Sequence, residues 1–542
     1  AGLTHWFPVE QSHFLFLFYP VIGIILASLF VKYVVKDNIS EGVTRVLYAM
    51  SRKNSYIAPH NCWTSVVGGA TTIGFGGSVG PEAPIVLTGA AIGSNVSRLA
   101  HLNYKNTTLL LCCGAGAALA AIFKAPITGV VFVLEILMLD ITAGSVIPLL
   151  IASITATTMA FMLRGFDPIL AVTLAPADAF ELWQIPLFIL LGVLCGLMAW
   201  YFTSMNSRVG GFFKSIDKQY KKWLWGGAIL GILIFVFPPL YGEGYEGFTS
   251  LMHGNAQELF NNSLFYRFRD IDWVIILFVI ATMFFKVIAM STTNAAGGVG
   301  GTFAPSLFVG AFTGASLALV CNTLFGWEVS IVSFTLVGMA GVMSGVMNAP
   351  LTSIFLIAEL SNGYGLFIPL MITACISFAV DYYLDPDSIY TKQLRQKGEL
   401  LTHDKDQSVF VFLKLEELME TDFLRIKENM TLGDIVHIIS TARRNIFPVI
   451  DNFGRLIGVV QLDDLREDMF KHEKYGHPIS DYMIPPPDKI IEHEAILSVM
   501  EKFEDKHAWM LPVVDKQGRY LGFISKSRIL NAYREQLVKI QQ

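Results

Sequence analysis

Two distant stretches of this chain share one pattern. Gly80-x-x-x-Pro84-x-x-x-x-Gly89-Ala90 recurs as Gly301-x-x-x-Pro305-x-x-x-x-Gly310-Ala311, every match 221 positions further on. Lys124-Ala125-Pro126-Ile127-Thr128-Gly129 recurs 224 positions on as Asn348-Ala349-Pro350-Leu351-Thr352-Ser353, and each copy runs on through apolar residues to a carboxylate, Glu135 or Glu359. The apolar part of the chain is therefore duplicated, and each copy carries a Gly/Pro break in sequence otherwise suited to helix. Paired breaks of this kind point to a transport site at a repeat interface. A single acid, Glu82, falls in the first break between Pro81 and Ala83-Pro84. An ionisable group in such surroundings is a functional candidate by default.

The surroundings are a membrane. Of 542 residues 53% are hydrophobic and only 15% charged, with a mean hydropathy of +0.53, beyond the range of ordinary soluble domains. Stretches free of charged residues, Gln11–Val31, Ile141–Leu163 and Leu182–Ser207, are long enough to cross about 30 Å of hydrocarbon at about 1.5 Å per helical residue. Irregular backbone at the two breaks must then line a cavity or pack on protein, since lipid offers no hydrogen-bond partners. Where a helix restarts after such a break, its first N–H groups are unsatisfied and its dipole is positive, so an anion is held there without a full countercharge. Such a site binds a halide and still releases it.

At these residues the chain resembles the CLC family of chloride channels and chloride/proton antiporters. Gly80-Pro81-Glu82-Ala83-Pro84 is similar to the family's gating motif, usually G-R/K-E-G-P, and Gly300-Gly301-Thr302-Phe303-Ala304-Pro305 is similar to G-G-x-F-x-P. Ser388-Ile389-Tyr390 resembles the segment carrying the family's anion-coordinating tyrosine. The resemblance covers roughly residues 14–395. It implies an all-α polytopic membrane domain of two inverted repeats with broken helices, one pore per subunit in a homodimer, and Glu82 as the gating glutamate. Anion contacts are implied for Gly80, Pro81, Ala83, the backbone amides of Thr302 and Phe303, and the phenol of Tyr390. The family normally has another helix before the one matching Phe14–Val35, and the chain starts at Ala1, so the given N-terminus is expected to be trimmed.

The chain departs from the family pattern in three places. The inner anion motif, G-S-G-I-P, aligns best with Ser40-Glu41-Gly42-Val43-Thr44. A carboxylate there would repel a halide, so Glu41 points away, or a one-residue shift brings in Ser40, or the ligand is absent. The antiporters place a second, inner proton-carrying carboxylate directly after the glutamate matching Glu135, whereas Phe132-Val133-Leu134-Glu135-Ile136 has isoleucine there. Ile136 carries no proton, which favours a channel or a differently wired exchanger. Glu135 and Glu359, ending equivalent apolar runs, suggest a shared buried hydrogen-bond role. Pro81 and Ala83 replace the motif's basic residue and its second glycine, which keeps the carboxylate and changes the flexibility around it.

Beyond Tyr390 the character changes. Residues 1–395 read as the membrane domain, 396–409 as a polar linker and 410–542 as an α/β cytosolic module with a repeat of its own. Phe447-Pro448-Val449-Ile450-Asp451-x-x-Gly454-Arg455-x-x-Gly458 recurs as Leu511-Pro512-Val513-Val514-Asp515-x-x-Gly518-Arg519-x-x-Gly522, 64 positions on. Each unit is predicted as helix, β-rich Pro-Val segment, turn at Asp-x-x-Gly, strand and second helix. The tandem resembles a CBS-domain pair, a regulatory module that often binds adenine nucleotides through G-x-x-[ST]-x-x-D. The first unit keeps Asp464 but has Gln461, and the second keeps Ser525 but has Arg528. The split motif favours structural regulation and dimer contact, with an adenine nucleotide at Asp464 and Ser525 as the alternative.

Several classes are disfavoured. There is no P-loop, no H-E-x-x-H and no nucleophile elbow, so no enzyme activity, metal or required cofactor is expected. A formal charge of −5 argues against a nucleic-acid partner. Six cysteines without C-x-x-C spacing read as apolar packing residues. A cation transporter or membrane sensor bearing CBS domains would want carboxylates and carbonyls gathered along its path, and the repeats offer helix N-termini with one acid. The expected protein sits in the cell (plasma or inner) membrane with its CBS pair in the cytosol, and basic Lys32–Lys36 and Lys218–Lys222 are compatible with cytosolic ends. Its expected function is passive, channel-like transport of chloride or a similar small anion, opening as external pH falls because desolvation disfavours the charged form of Glu82. A chloride/proton antiporter with a non-standard inner proton path remains the alternative.

Overall fold

In the computed structural model of the protein, the described residues are 14–37, 39, 42–52, 55–139, 142–165, 180–361, 363–396, 413 and 415–541. The chain divides into two compact units, Ala1–Leu400 and Leu401–Gln542. The expected linker, residues 396–409, lies outside the described residues beyond Gln396.

The first unit is helical. Among the described residues seven segments are long and apolar enough to cross a membrane, including Phe14–Val35, Gly144–Arg164 and Leu182–Lys214, where charge-free sequence predicts spans. The duplication is visible helix by helix. Glu82–Leu99, Tyr104–Phe123 and Pro126–Glu135 in the first repeat correspond to Phe303–Phe325, Ile331–Met347 and Pro350–Leu360 in the second. The second helix of each set ends on a residue in the left-handed region, Lys124 at φ 56° and Asn348 at φ 52°. The third then restarts with proline in its first turn, where the missing N–H costs nothing.

Glycine sets how closely these helices cross. A Cβ on Gly89 would lie 2.2 Å from the Gly114 carbonyl oxygen, and one on Gly310 would lie 2.4 Å from that of Gly338. One turn on, a Cβ on Gly93 would meet the Leu110 oxygen at 2.1 Å and one on Gly314 the Phe334 oxygen at 1.8 Å. Every pair is repeat-equivalent. Small residues let backbones approach in the membrane, where lipid gives no hydrophobic drive for association.

A reciprocal backbone contact fixes the symmetry. Gly80 and Gly301 form an antiparallel bridge, with Gly80 N–H donating to Gly301 O (3.0 Å) and Gly301 N–H to Gly80 O (2.7 Å). When residue i of one copy contacts j of the other and the reverse also holds, the copies are related by a two-fold axis. An antiparallel contact between equivalent residues means that the chain directions are opposed, as inverted repeats require.

The second unit holds two three-stranded sheets. In the first, β1 (Ile426–Lys427) pairs parallel with β2 (Ile446–Ile450), which pairs antiparallel with β3 (Leu456–Gln461). The second repeats this with β4 (Ile490–Ile491), β5 (Met510–Val514) and β6 (Tyr520–Ser525). The two-residue β1 and β4 are too short to show a periodicity in sequence. The Asp-x-x-Gly turns form as expected, Asp451 Oδ1 accepting from Phe453 and Arg455 N–H (both 2.8 Å) and Asp515 Oδ1 from Gln517 (2.9 Å) and Arg519 (2.8 Å). Leu456 N–H donates to Gly518 O and Tyr520 N–H to Gly454 O, both at 3.0 Å, so this module too pairs its halves through repeat-related turns. In the segment joining β3 to β4, Asp468 accepts from Lys474 (2.5 Å), Lys471 (3.0 Å) and Tyr482 (3.1 Å), and these donors, Lys474 first, hold its carboxyl well below the usual carboxylate range.

Gly314→Ala should force Phe303–Phe325 away from Ile331–Met347, at a cost of about 1–3 kcal/mol for overpacking. Gly211→Ala, with nothing within 4 Å of its Cβ, should be neutral or stabilising in its helix. Thermal unfolding of the purified chain in detergent compares the two, and equal midpoints would refute the close-packing account.

Candidate functional site

The Gly80–Gly301 bridge brings two helix N-termini together. Glu82–Leu99 starts two residues after Gly80 and Phe303–Phe325 two residues after Gly301, each with proline in its first turn. Glu82 is 1% exposed. Its Oε2 accepts from the Ala304 N–H (3.4 Å), at the start of the second-repeat helix, and its Oε1 accepts from the Tyr245 hydroxyl (2.5 Å). The carboxylate from one repeat thus sits on the positive end of a helix from the other. Gly80 makes the room, because a Cβ there would lie 2.1 Å from Glu82 Oε2.

The other expected residues lie around this point. Pro81 is the N-cap of the Glu82 helix, and Ala83, 6% exposed, packs against Gly301. Thr302 is the N-cap of the Phe303 helix, its Oγ1 buried without a partner of good geometry. Phe303 is buried and stacks on Phe123 at 5.4 Å. The amide that meets Glu82 belongs to Ala304, next to the Thr302 and Phe303 amides expected to face an anion. Tyr390, in the first turn of Ile389–Gln396, is buried, stands beside Thr302 and directs its hydroxyl to Met347 Sδ (3.8 Å). Ser40 and Glu41 lie outside the described residues, and the following helix starts at Gly42.

A cavity of about 530 Å³ opens from these N-termini. Ala83, Gly301, Thr302 and Tyr390 line it, together with Lys214, Lys222 and Lys392. No carboxylate is among its described lining residues. Lys392 pairs with Asp385. A concave surface lined by one sign of charge concentrates counter-ions, and here the sign suits anions.

Glu135 and Glu359 cap each other's helices. Glu135 accepts from Leu351 N–H (3.0 Å), Thr352 N–H (2.6 Å) and Thr352 Oγ1 (2.7 Å), while Glu359 accepts from Ile127 N–H (3.0 Å), Thr128 N–H (2.8 Å) and Thr128 Oγ1 (2.6 Å). This is the shared hydrogen-bond role that their equivalent positions suggest. Ile136, the next residue, is buried.

Tyr245 and Lys286 belong to no motif in the sequence. Tyr245 opens the short helix Tyr245–Met252, and Lys286 is fully buried within Asp272–Ala296. A lysine inside an apolar span is itself a signal, but nothing in sequence spacing ties either residue to Glu82.

In the second unit, Ser525 Oγ donates to Glu420 Oε1 (2.8 Å), and Glu420 is paired with Arg444 (2.6 Å). A carboxylate on that hydroxyl opposes a phosphate contact. Asp464 lies exposed in Leu462–Leu465.

Compared with known proteins, the chain matches the family described as voltage gated chloride channel over residues 23–382 and the CBS domain over 415–471 and 479–535. It is 27% identical over 339 residues to the H(+)/Cl(−) exchange transporter ClcA of Vibrio cholerae, covering 61% of this chain and 68% of that protein. It is 25% identical over 452 residues to the chloride channel protein CLC-f of Arabidopsis thaliana, covering 73% of this chain and 56% of that one. The crystal structure of a eukaryotic CLC transporter aligns over 94% of this chain and 89% of its own, with a TM-score of 0.58 at 17% identity.

Replacing Glu135 by alanine leaves the N–H groups of Leu351 and Thr352 without their acceptor. Glu135→Ala and Glu359→Ala should each lower stability by roughly 1–2 kcal/mol, read as thermal midpoints. A neutral result for either would remove the reciprocal cap from the account.

Proposed function

The chain belongs to the voltage-gated chloride channel family, and on that premise we propose that it carries chloride or a similar small anion passively across the membrane, through a pore between its repeats gated by Glu82. One observation carries this reading: the Glu82 carboxylate occupies the start of the Phe303–Phe325 helix, accepting from Ala304 N–H, which is where a transported anion would bind. Ionised, Glu82 competes with the anion for that place. Protonated, it loses the charge that the helix end favours and leaves the place to chloride. A helix terminus contributes only about 1 kcal/mol to a bound charge, so the anion is held and released. The Lys214 and Lys222 side chains lining the cavity raise the anion concentration there, and Tyr390 offers its hydroxyl next to Thr302.

Passive transport is supported by Ile136, buried where a proton-carrying group would be needed. Glu135, bonded to Leu351 and Thr352, is engaged in holding a helix start. An unassisted charge crossing apolar protein costs several kcal/mol. A second reading, coupled chloride/proton exchange, is favoured by Asp381: this carboxylate is 1% exposed, its Oδ1 has no partner among the described residues, and it lies four residues before Asp385, the partner of Lys392 at the cavity. In the passive reading Asp381 serves the local structure. The protein acts as a homodimer in the cell membrane, each subunit with its own pore, and its CBS pair regulates from the cytosol without needing a bound nucleotide.

Glu82→Gln keeps the side chain's volume and removes its charge. Anion flux from liposomes should persist and lose its dependence on external pH. A mutant as pH-sensitive as the parent would rule out Glu82 as the gate.

A further inference from the structure

Lys286 is the charge that the mechanism above leaves unused. It is 0% exposed, in the interior of the 25-residue apolar helix Asp272–Ala296. A buried ammonium is retained only where its surroundings compensate it, and these surroundings lead directly to the gate. Lys286 Nζ donates to the Gly242 carbonyl (3.0 Å) and lies 4.9 Å from the centre of the Phe308 ring. Phe308 belongs to Phe303–Phe325, the helix whose Ala304 N–H meets Glu82. Gly244, at φ +91°, lets the turn lie against both, since a Cβ there would lie 2.5 Å from Phe308 Cδ2 and 3.2 Å from Lys286 Nζ. The next residue is Tyr245, whose hydroxyl donates to Glu82.

The charges around this point are few. Lys286 interacts electrostatically with Glu243 and then with Glu82, and Glu243 in turn with Glu246 on the Tyr245–Met252 helix. Glu82 itself feels Glu243, Tyr245 and Tyr390. Phe303–Phe325 and Ile331–Met347 contribute no charged side chain.

We infer that Lys286 is a positioning residue of the gate: it pins the Gly242–Gly244 turn that delivers Tyr245 to Glu82, and its positive charge holds the Glu82 carboxylate on the Ala304 amide. This rests on the reading of Glu82 as the gate. A cation near a carboxylate favours the ionised, blocking form, so Lys286 sets how acidic the medium must become before the pore opens. Glu243 acts in the opposite direction.

The test uses the full chain in liposomes, with anion flux measured against external pH. Lys286→Met, isosteric and uncharged, should move the midpoint of activation toward higher pH by roughly one unit, as expected for loss of a nearby opposite charge. Glu243→Gln should move it toward lower pH. Opposite shifts distinguish electrostatic positioning from loosened packing, which would move both the same way. On a Glu82→Gln background neither change should alter the flat profile. A folded Lys286→Met protein with the parental midpoint overturns the inference. If that variant fails to fold, Glu243→Gln decides, and an unchanged or raised midpoint overturns it. If Glu82→Gln alone stays pH-sensitive, the gate reading falls on a measurement in which Lys286 plays no part.

Discussion

The two backbone hydrogen bonds between Gly80 and Gly301 set the distance between two helix N-termini. Because the bonded residues are repeat-equivalent, both helices start from one point and both present unsatisfied N–H groups there. A larger residue at either position would meet Glu82, Ala83 or Ala304. The pore chemistry follows from that closeness. On the proposed reading, the facing helix ends with one displaceable carboxylate form a site that is either self-occupied or open.

The rest of the first unit holds this pair in place. The Gly89–Gly114 and Gly310–Gly338 crossings fix the second helix of each repeat against the first. The reciprocal caps of Glu135 and Glu359 fix the third helices against each other. These caps place two carboxylates inside a membrane domain where each is satisfied by a partner helix start. Lys286, buried and bonded to the Gly242 carbonyl, is a further charge compensated inside the membrane domain.

Much of this was legible in sequence because duplication writes itself as spacing. The offsets of 221 and 224 gave the equivalent helices, and Gly80, Glu82 and Gly301 announced themselves as glycine breaks with one acid. What could not be read was which groups meet across large separations. Tyr245 lies in a short helix with no motif, and its contact with Glu82 spans 163 positions. The motif points to the Thr302 and Phe303 amides for an anion, and the contact of Ala304 N–H with the Glu82 carboxylate is visible only in the fold. In the second unit, the split nucleotide motif hinted that Ser525 has another occupation, but only the fold brings Glu420 from 105 positions away to accept from it.

The reversal potential of the anion current tests passive transport most directly. With the full chain in a planar bilayer under a fixed chloride gradient, the pH is first equal on both sides and then opposed. The account predicts that the reversal potential stays at the chloride equilibrium value in both conditions, while the current amplitude follows the pH facing Glu82. A reversal potential displaced in proportion to the pH gradient would contradict it, and would make Asp381, with its unpartnered Oδ1, the first residue to test as the inner proton acceptor.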